Sequence, residues 1–222
     1  MPLEKINIHS VKPPTKKSIT GLILAGGRGQ RFNDQDKGLI PYKGSTLAEH
    51  AIARLAPRVN TVLLSVNRNL DYYNSLNVSC IEDDFSDYPG PLAGIHTALK
   101  QISTEWLVTV ACDTPCFPLN YVEKLSASLL CSKSNPTSNL ASNSQSLLAV
   151  ARNENRLQNV FILVHKNLFE SLNTFLNDGE RKAKIWIEQN NPTLVDFTQQ
   201  HAFSNINTAE DLTNIEALHC DE

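Results

Sequence analysis

The sequence lacks the features that mark several classes of protein. Its 222 residues carry 20 basic and 23 acidic side chains, for a net charge of -3 and a pI near 6.1. This balance offers no basic footprint for nucleic acid or for an anionic membrane surface. No uninterrupted apolar run approaches the roughly 18 residues that a membrane span needs. We therefore expect no nucleic-acid partner and no membrane association.

Cysteine is scarce and shows no disulfide or metal pattern. The five cysteines are scattered, and the closest pair, Cys112 and Cys116, has three residues between its members instead of the two of a redox or zinc hook. The N-terminal region has no apolar core of a secretory signal, because lysines interrupt it before Ile19. These features favour a reducing compartment, and we expect a cytoplasmic protein.

What the sequence does contain is a series of short apolar strands that alternate with amphipathic helices. Residues 19–24 and 106–111 are apolar runs typical of buried strands, and Thr46 with Glu49 forms a capping box that predicts a helix start. Such alternation implies right-handed crossovers. The sequence therefore predicts an α/β fold with a mainly parallel twisted sheet, helices on both faces and a Rossmann-like arrangement.

Two segments differ in composition from this pattern. Residues 1–17 contain three prolines and four lysines without an apolar period, which predicts a mobile N-terminal tail. Residues 131–146 are dominated by Ser and Asn and predict a surface loop. No repeat or long linker divides the rest, so we expect one domain over residues 18–222.

Glycine is concentrated just after the first predicted strand, where six of the nine glycines fall between residues 21 and 44. With Arg28, Arg31 and Lys37, this loop would place backbone amides and cations at the carboxyl end of a strand, where α/β sheets bind ligands. A triphosphate would suit it. The dinucleotide and P-loop motifs both fail, at Phe32 and Leu39 respectively. A glycine-rich surface turn with solvated arginines is the simpler alternative.

Two acidic segments follow later strands. Asp113 comes directly after the strand at 106–111, and a carboxylate there could bind Mg²⁺ on a nucleotide. Since Asp113 precedes Thr114 and Pro115, it could equally form a turn. The segment 83–94 combines acidic residues with two prolines and two glycines. Its simpler interpretation is a solvated acidic loop that leads into a helix.

Together these segments resemble the molybdenum cofactor guanylyltransferases, a family of nucleotidyltransferases. The resemblance covers residues 19–218. The motifs that carry it are Leu24-Ala25-Gly26-Gly27 with Arg31, Asp36-Lys37-Gly38, Ser65-Val66-Asn67-Arg68, Ile81-Glu82-Asp83, Tyr88-Pro89-Gly90-Pro91-Leu92-Ala93-Gly94, Cys112-Asp113-Thr114-Pro115, Gly179-Glu180-Arg181 and Asn205-Ile206-Asn207-Thr208. The glycine loop alone is common to many sugar and cofactor nucleotidyltransferases, whereas Asp36-Lys37-Gly38 and residues 88–94 are more specific.

The resemblance assigns roles to individual residues. It implies that Lys37, Asp113 and Arg31 are catalytic, and that Asp113 and Asn207 bind Mg²⁺. The backbone around Leu24 to Gly26 would hold the guanine base, and Asp83 would lie at the nucleoside. The full nucleotide-binding set that it implies is Leu24, Ala25, Gly26, Gly27, Lys37, Ser65, Asn67, Asp83, Gly94 and Asp113. Arg181 and Lys182 could contact the pterin substrate, although a charged helix start is the simpler interpretation.

The activity implied by the resemblance is transfer of GMP from GTP to the molybdenum-bearing molybdopterin, with release of pyrophosphate. It also implies a monomer that transiently contacts proteins that deliver the cofactor or mature molybdoenzymes. Three alternatives remain: a cytidylyltransferase that acts on the same pterin, a sugar-phosphate nucleotidyltransferase, and a non-catalytic nucleotide-binding protein of the same fold. The last is suggested by Phe32 and Ser65, where family members usually have Met and Asn.

Overall fold

The computed structural model describes residues 11–26, 36–84, 90–131 and 146–218. Its strands are β1 (Ile19–Leu24), β2 (Pro41–Tyr42), β3 (Ser45–Thr46), β4 (Thr61–Ser65), β5 (Ser79–Ile81), β6 (Trp106–Ala111), β7 (Leu148–Asn153), β8 (Arg156–His165) and β9 (Thr193–Phe197). Its helices are α1 (Leu47–Leu55), α2 (Leu70–Asn74), α3 (Pro91–Gln101), α4 (Tyr121–Cys131), α5 (Phe169–Asn177), α6 (Ala183–Gln189) and α7 (Ala209–Glu216). Short 3₁₀ turns cover Lys16–Ser18, Lys37–Leu39, Ala56–Arg58 and Lys166–Leu168.

Seven of the described strands form one sheet in the order β5-β4-β1-β6-β8-β7-β9. The neighbouring pairs β5-β4, β4-β1, β1-β6 and β7-β9 are parallel. Strand β8 is antiparallel to both β6 and β7. The β7-β8 hairpin reverses at Glu154 and Asn155, which both have positive φ, as tight hairpin turns require. The predicted, mainly parallel sheet is confirmed, and the antiparallel β8 is an addition to it.

Helices cover both faces of the sheet, as predicted. Ile19 and Ile23 of β1 belong to one buried cluster with α1 and α4. Leu22 belongs to a second cluster, with α3, α5 and α6. Because successive strand residues point to opposite faces, this alternation within β1 divides the core into two layers. Strand β1 is therefore buried on both faces, and the loop that follows it begins from a rigid part of the core.

The capping box predicted at α1 is formed. The Thr46 hydroxyl accepts a hydrogen bond from Glu49 N, and Glu49 Oε2 accepts one from Thr46 N at 2.8 Å. The backbone N–H of Thr46, and then its hydroxyl, lower the pKa of the Glu49 carboxyl. This reciprocal pair satisfies backbone donors at the helix start. It fixes α1 directly after the β2-β3 hairpin.

The described part of the predicted N-terminal tail is packed against the domain. Trp106 Nε1 donates to Lys12 O at 3.1 Å, and Val11 packs against the core. Residues 11–17 therefore contact the domain, in part through this partly buried hydrogen bond from Trp106. Residues 1–10, and 132–145 of the predicted surface loop, lie outside the described residues. In the described ranges, no helix combines the length and apolarity needed to cross a membrane.

Candidate active site

The candidate site lies where β1, β4 and β6 end side by side. Leu24 of β1 is in register with Ser65 of β4 and with Ala111 of β6. Past the strand ends, Ala25 N donates to Ser65 O at 2.9 Å and Cys112 N donates to Leu24 O at 3.1 Å. The loops after the three strands are therefore neighbours at the carboxyl edge of the sheet, the edge where open α/β sheets bind ligands.

At this edge, Lys37 joins two of the residues that the resemblance assigned to metal binding. Lys37 Nζ donates to Asp113 Oδ2 and to Asn207 Oδ1, both at 2.7 Å. The side chains of Lys37 and Asp113 are 19% and 16% exposed, so this charged group is partly shielded from water. The structure thus brings together Lys37, Asp113 and Asn207, which the sequence separates by up to 170 residues.

The backbone before α7 holds Asn207 beside Asp113. Ile206 N donates to Asp113 O at 2.8 Å, and the Thr114 hydroxyl donates to Asn205 Oδ1 at 2.6 Å. Asp211, in the first turn of α7, accepts hydrogen bonds from the backbone N–H groups of Asn207 and Thr208, each at 2.9 Å. The Asn207 N–H is the main cause of the lowered pKa of the Asp211 carboxyl. The cap of α7 therefore fixes Asn207, one of the two side chains that bind Lys37.

A second group of polar side chains lies on the β4 side of the same edge. Ser65 Oγ donates to Asp83 Oδ1 at 3.1 Å, and Asn67 Nδ2 donates to Asp83 Oδ2 at 2.9 Å. Asp83 N in turn donates to Asn67 Oδ1 at 3.0 Å. Three residues from the predicted nucleotide-binding set are thus in direct contact. Their hydrogen bonds fix the Asp83 carboxylate at the sheet edge.

Two glycines of the predicted set lie against these polar side chains. A Cβ on Gly94 would lie 2.5 Å from Ser65 Oγ, and a Cβ on Gly26 would lie 3.0 Å from Asn67 Nδ2. Any larger side chain at Gly94 would displace the Ser65 hydroxyl, since real Cβ contacts are not that short. These glycines therefore permit the close approach of β1, β4 and α3 around Asp83.

Asp36 belongs to the motif Asp36-Lys37-Gly38, but the sequence predicts no separate role for it. Asp36 is buried, and its carboxylate accepts hydrogen bonds from Tyr73 Oη at 2.7 Å and from Asn69 Nδ2 at 2.9 Å. Burial and the neighbouring Asp36 carboxylate raise the pKa of Tyr73, which therefore stays protonated and donates. Its place in the motif is a sequence signal that could have marked Asp36 as functional. Its hydrogen-bond partners, Tyr73 and Asn69, are seen only in the folded structure.

Several predicted residues are not part of these clusters. Gly27 and Arg31 lie outside the described residues. Arg181 Nη1 donates to the carbonyl oxygens of Leu176 and Glu180. Its guanidinium therefore binds backbone acceptors at the C-terminal end of α5 and just after it. Arg181 thus has a structural role, but at the end of α5 and not at the charged helix start that was the simpler interpretation.

The cysteines near the site are not suited to nucleophilic chemistry. Cys112 is a buried free thiol, and burial raises its pKa well above the ordinary value, which disfavours the reactive thiolate. Cys116 is disulfide-bonded, a pairing that the scattered cysteines did not predict.

Among the described residues, no three His, Cys, Asp or Glu side chains form a group that could hold a metal ion. A metal here would need oxygen donors from Asp113, Asn207 and its substrate.

Comparisons of the sequence with a family model and with curated proteins point to the same family. A family model for the MobA-like NTP transferase domain matches residues 21–193. The chain is 37% identical over 204 residues to the molybdenum cofactor guanylyltransferase of Bordetella pertussis, covering 91% of this chain and 98% of that protein. It is 41% identical over 204 residues to the protein of the same name from Acidovorax sp., covering 90% and 96%.

Solved structures share the fold. Molybdopterin-guanine dinucleotide biosynthesis protein A from Archaeoglobus fulgidus superposes with a TM-score of 0.68 at 19% identity, over 89% of this chain and 96% of that chain. The 4-diphosphocytidyl-2C-methyl-D-erythritol synthase of Anaerococcus prevotii gives a TM-score of 0.62 at 14% identity, over 91% and 98%. Proteins named for different nucleotide products thus have this architecture, so the fold by itself does not select the substrate.

Proposed function

Since this chain belongs to the molybdenum cofactor guanylyltransferases, a family of MobA-like NTP transferases, we propose that it transfers GMP from GTP to the molybdenum-bearing molybdopterin. The products are molybdopterin guanine dinucleotide and pyrophosphate. One observation carries the assignment of the reacting site: Lys37 Nζ meets Asp113 and Asn207 at the carboxyl edge of the sheet. We propose one domain over residues 18–222, against which residues 11–17 pack.

The chemistry requires alignment and charge neutralisation more than a base. The terminal phosphate of the pterin is already anionic, and one of its oxygens forms a bond to the α-phosphorus of GTP. The bond from the α-phosphorus to the oxygen that bridges it to the β-phosphate breaks, and pyrophosphate leaves. Two negatively charged groups must therefore approach each other, and a fixed ammonium reduces their repulsion. We assign that role to Lys37, with Arg31 as a second cation.

We assign binding of the nucleoside to the group formed by Ser65, Asn67 and Asp83, which we call the Asp83 cluster. Support comes from the hydrogen bonds of Ser65 and Asn67, which hold the Asp83 carboxylate beside Gly26 and Gly94. The Ala25 N–H and the Leu24 C=O already bond to neighbouring strands. Within the segment predicted to hold guanine, Leu24 to Gly26, we therefore assign the contacts chiefly to the backbone from the Ala25 carbonyl onward.

We propose Mg²⁺ as the cofactor. The Asp113 carboxylate and the Asn207 amide supply hard oxygen donors, and both oxygens face the single Lys37 ammonium. One carboxylate, one amide oxygen and substrate phosphates fit the preference of Mg²⁺, which seldom uses a cage made only of protein groups. When bound, Mg²⁺ would add positive charge to the phosphates of the nucleotide.

The remaining parts of the proposal concern the setting of the enzyme. It acts as a monomer in the cytoplasm and transiently contacts proteins that deliver molybdopterin or mature molybdoenzymes. Light scattering at several protein concentrations tests the oligomeric state, and cell fractionation tests the location. A stable dimer, or recovery outside the cytoplasmic fraction, would contradict these two parts without affecting the chemistry.

The decisive experiment supplies molybdenum-loaded molybdopterin, Mg²⁺ and each of the four nucleoside triphosphates in turn. Mass spectrometry should detect a dinucleotide product and equimolar pyrophosphate with GTP, and calorimetry should rank GTP above ATP and CTP in affinity. A cytidine dinucleotide would instead assign the chain to cytidylyl transfer. Nucleotide binding without any product would support a non-catalytic protein. Product formed only when a sugar phosphate replaces molybdopterin as the acceptor would identify a sugar-phosphate nucleotidyltransferase.

A further inference from the structure

The carboxylate of Asp36 lies buried beside Lys37, and donors surround it. Its side chain is 2% exposed. Oδ1 accepts hydrogen bonds from Tyr73 Oη at 2.7 Å and from Gly38 N at 3.1 Å. Oδ2 accepts one from Asn69 Nδ2 at 2.9 Å and lies 3.7 Å from Arg68 Nε. A buried carboxylate is costly unless it is paired in this way, so this arrangement fixes the orientation of Asp36.

The neighbouring glycine is part of the same arrangement. A Cβ on Gly38 would lie 2.2 Å from Tyr73 Oη. The Tyr73 hydroxyl can therefore reach Asp36 only because residue 38 has no side chain. Tyr73 itself is fully buried on α2, so the hydroxyl is held in this position by the packing of its ring. This explains in physical terms why glycine follows Asp36 and Lys37.

Asp36 and Lys37 are bound to opposite sides of the site. Apart from Gly38 N, the groups that bind the Asp36 carboxylate come from residues 68–73, which follow Asn67 in the chain. Lys37 Nζ is bound instead to Asp113 after β6 and to Asn207 before α7. Because the two residues are adjacent, fixing one limits where the other can reach.

We infer that Asp36 is a positioning residue, which sets the place of the Lys37 ammonium relative to the Asp83 cluster. For its catalytic consequence, this inference rests on the proposed function. Because the Asp36 side chain is 2% exposed and both its oxygens accept hydrogen bonds from the protein, we assign its effect to the placement of Lys37 and not to contact with substrate. Without Asp36, the turn at Lys37–Leu39 loses its link to the β4 side, and Lys37 samples positions away from Asp113.

A first experiment measures the placement of Lys37 without using turnover. The purified chain is treated with a limiting amount of acetic anhydride, and acetylation of Lys37 relative to the exposed Lys166 is followed by mass spectrometry. The test variant Asp36→Asn keeps the size of the side chain and replaces an acceptor with a donor. We expect its relative Lys37 acetylation to rise about threefold or more, through local opening, while exposed Asp71→Asn on α2 stays at the wild-type rate.

A second variant guards against misfolding. Tyr73→Phe removes one donor to Asp36 and keeps the buried ring, so we expect a smaller rise in Lys37 acetylation. If Asp36→Asn melts more than about 10 °C below the wild type, Tyr73→Phe decides the test. Lys37 acetylation that stays at the wild-type level in a folded test variant overturns the inference.

Kinetics then tests whether Asp36 acts through Lys37. In Asp36→Asn we expect kcat to fall about tenfold, with the KM for GTP changed less than about threefold because the Asp83 cluster remains. In a Lys37→Ala background, the same substitution should lower kcat by less than about twofold. Full additivity would overturn the inference. If the wild type forms no dinucleotide, the proposed function fails, and the acetylation result alone decides the role of Asp36.

Discussion

Lys37 and Asp113 are 76 residues apart in the sequence, and their side chains form an ion pair with Nζ 2.7 Å from Oδ2. Lys37 follows β1 through a glycine-rich segment, and Asp113 follows β6, the parallel neighbour of β1. The pair is partly buried, so it is less screened by water and salt than an exposed pair.

Lys37→Ala should lower kcat/KM with little effect on the fold. A charge-assisted contact is worth about 1.5 to 3 kcal/mol, which corresponds to roughly tenfold to a hundredfold in rate if it is made in the transition state. Steady-state kinetics with GTP and molybdopterin measures the change. Lys100→Ala is the matched control, because Lys100 forms an exposed ion pair with Asp84 at 2.8 Å. Equal activity of the two variants would remove Lys37 from the reacting site.

Asp113→Asn should abolish nearly all transfer and leave the melting temperature close to that of the wild type. Asn keeps the shape of the side chain but removes the charge that holds Lys37 and would bind Mg²⁺. We expect a loss well above tenfold in kcat/KM, which is more than about 1.4 kcal/mol. Asp196→Asn, at an exposed pair with Arg152, should retain activity. A variant at position 113 that keeps over about a tenth of wild-type activity would support the turn-former interpretation.

Gly94→Ala should weaken GTP binding. Its Cβ would lie 2.5 Å from Ser65 Oγ and 2.9 Å from Leu24 Cδ2, so the Ser65 hydroxyl must move away from Asp83. We expect the Kd for GTP, measured by calorimetry, to rise by about fivefold or more, the effect of losing about 1 kcal/mol from one hydrogen bond. Adding Ser65→Ala to Gly94→Ala should weaken binding little further, because both changes remove the same hydrogen bond from Ser65 to Asp83. No change in Kd would place GTP away from the Asp83 cluster.

His165 should make the protein less stable as the pH falls below neutral. Burial lowers the pKa of His165 from 6.5 to about 4, so the unfolded chain binds a proton more readily than the folded chain. Its contribution to stability is complete above pH 6.5 and is lost progressively as the pH falls toward 4. The expected loss is about 2 to 3 kcal/mol.

Urea unfolding of the wild type and of His165→Gln at several pH values tests this prediction. Gln supplies an acceptor for the Asn167 N–H, which donates to His165 Nδ1 at 3.2 Å, and it does not titrate. The variant should therefore show a flatter pH dependence between 6.5 and about 4. His201→Gln, at an exposed histidine, should follow the wild type. Parallel curves for wild type and His165→Gln would contradict the assignment.

Local patterns predicted many of the elements. The apolar runs at β1 and β6 are the signal of strands buried on both faces, and the capping box at Thr46 marks the start of α1. Helix α4 was not predicted, although Leu125 and Leu129 lie at helical spacing and are buried. The short α2 and the β2-β3 hairpin were also not predicted, since elements of a few residues carry too little periodicity to be recognised.

Local sequence patterns are enough to establish the α/β class and the family, and they predict roles for Lys37 and Asp113, because apolar periodicity and short motifs are local properties. Tertiary packing produces the antiparallel pairing of β8, the contact of Asn207 with Lys37 and the contact of Asp36 with Tyr73. Asp36 and Tyr73 are 37 positions apart in the sequence, and Lys37 and Asn207 are 170 positions apart. Hydrogen bonds between such distant residues depend on how strands and helices pack, so local sequence patterns contain no direct signal of them.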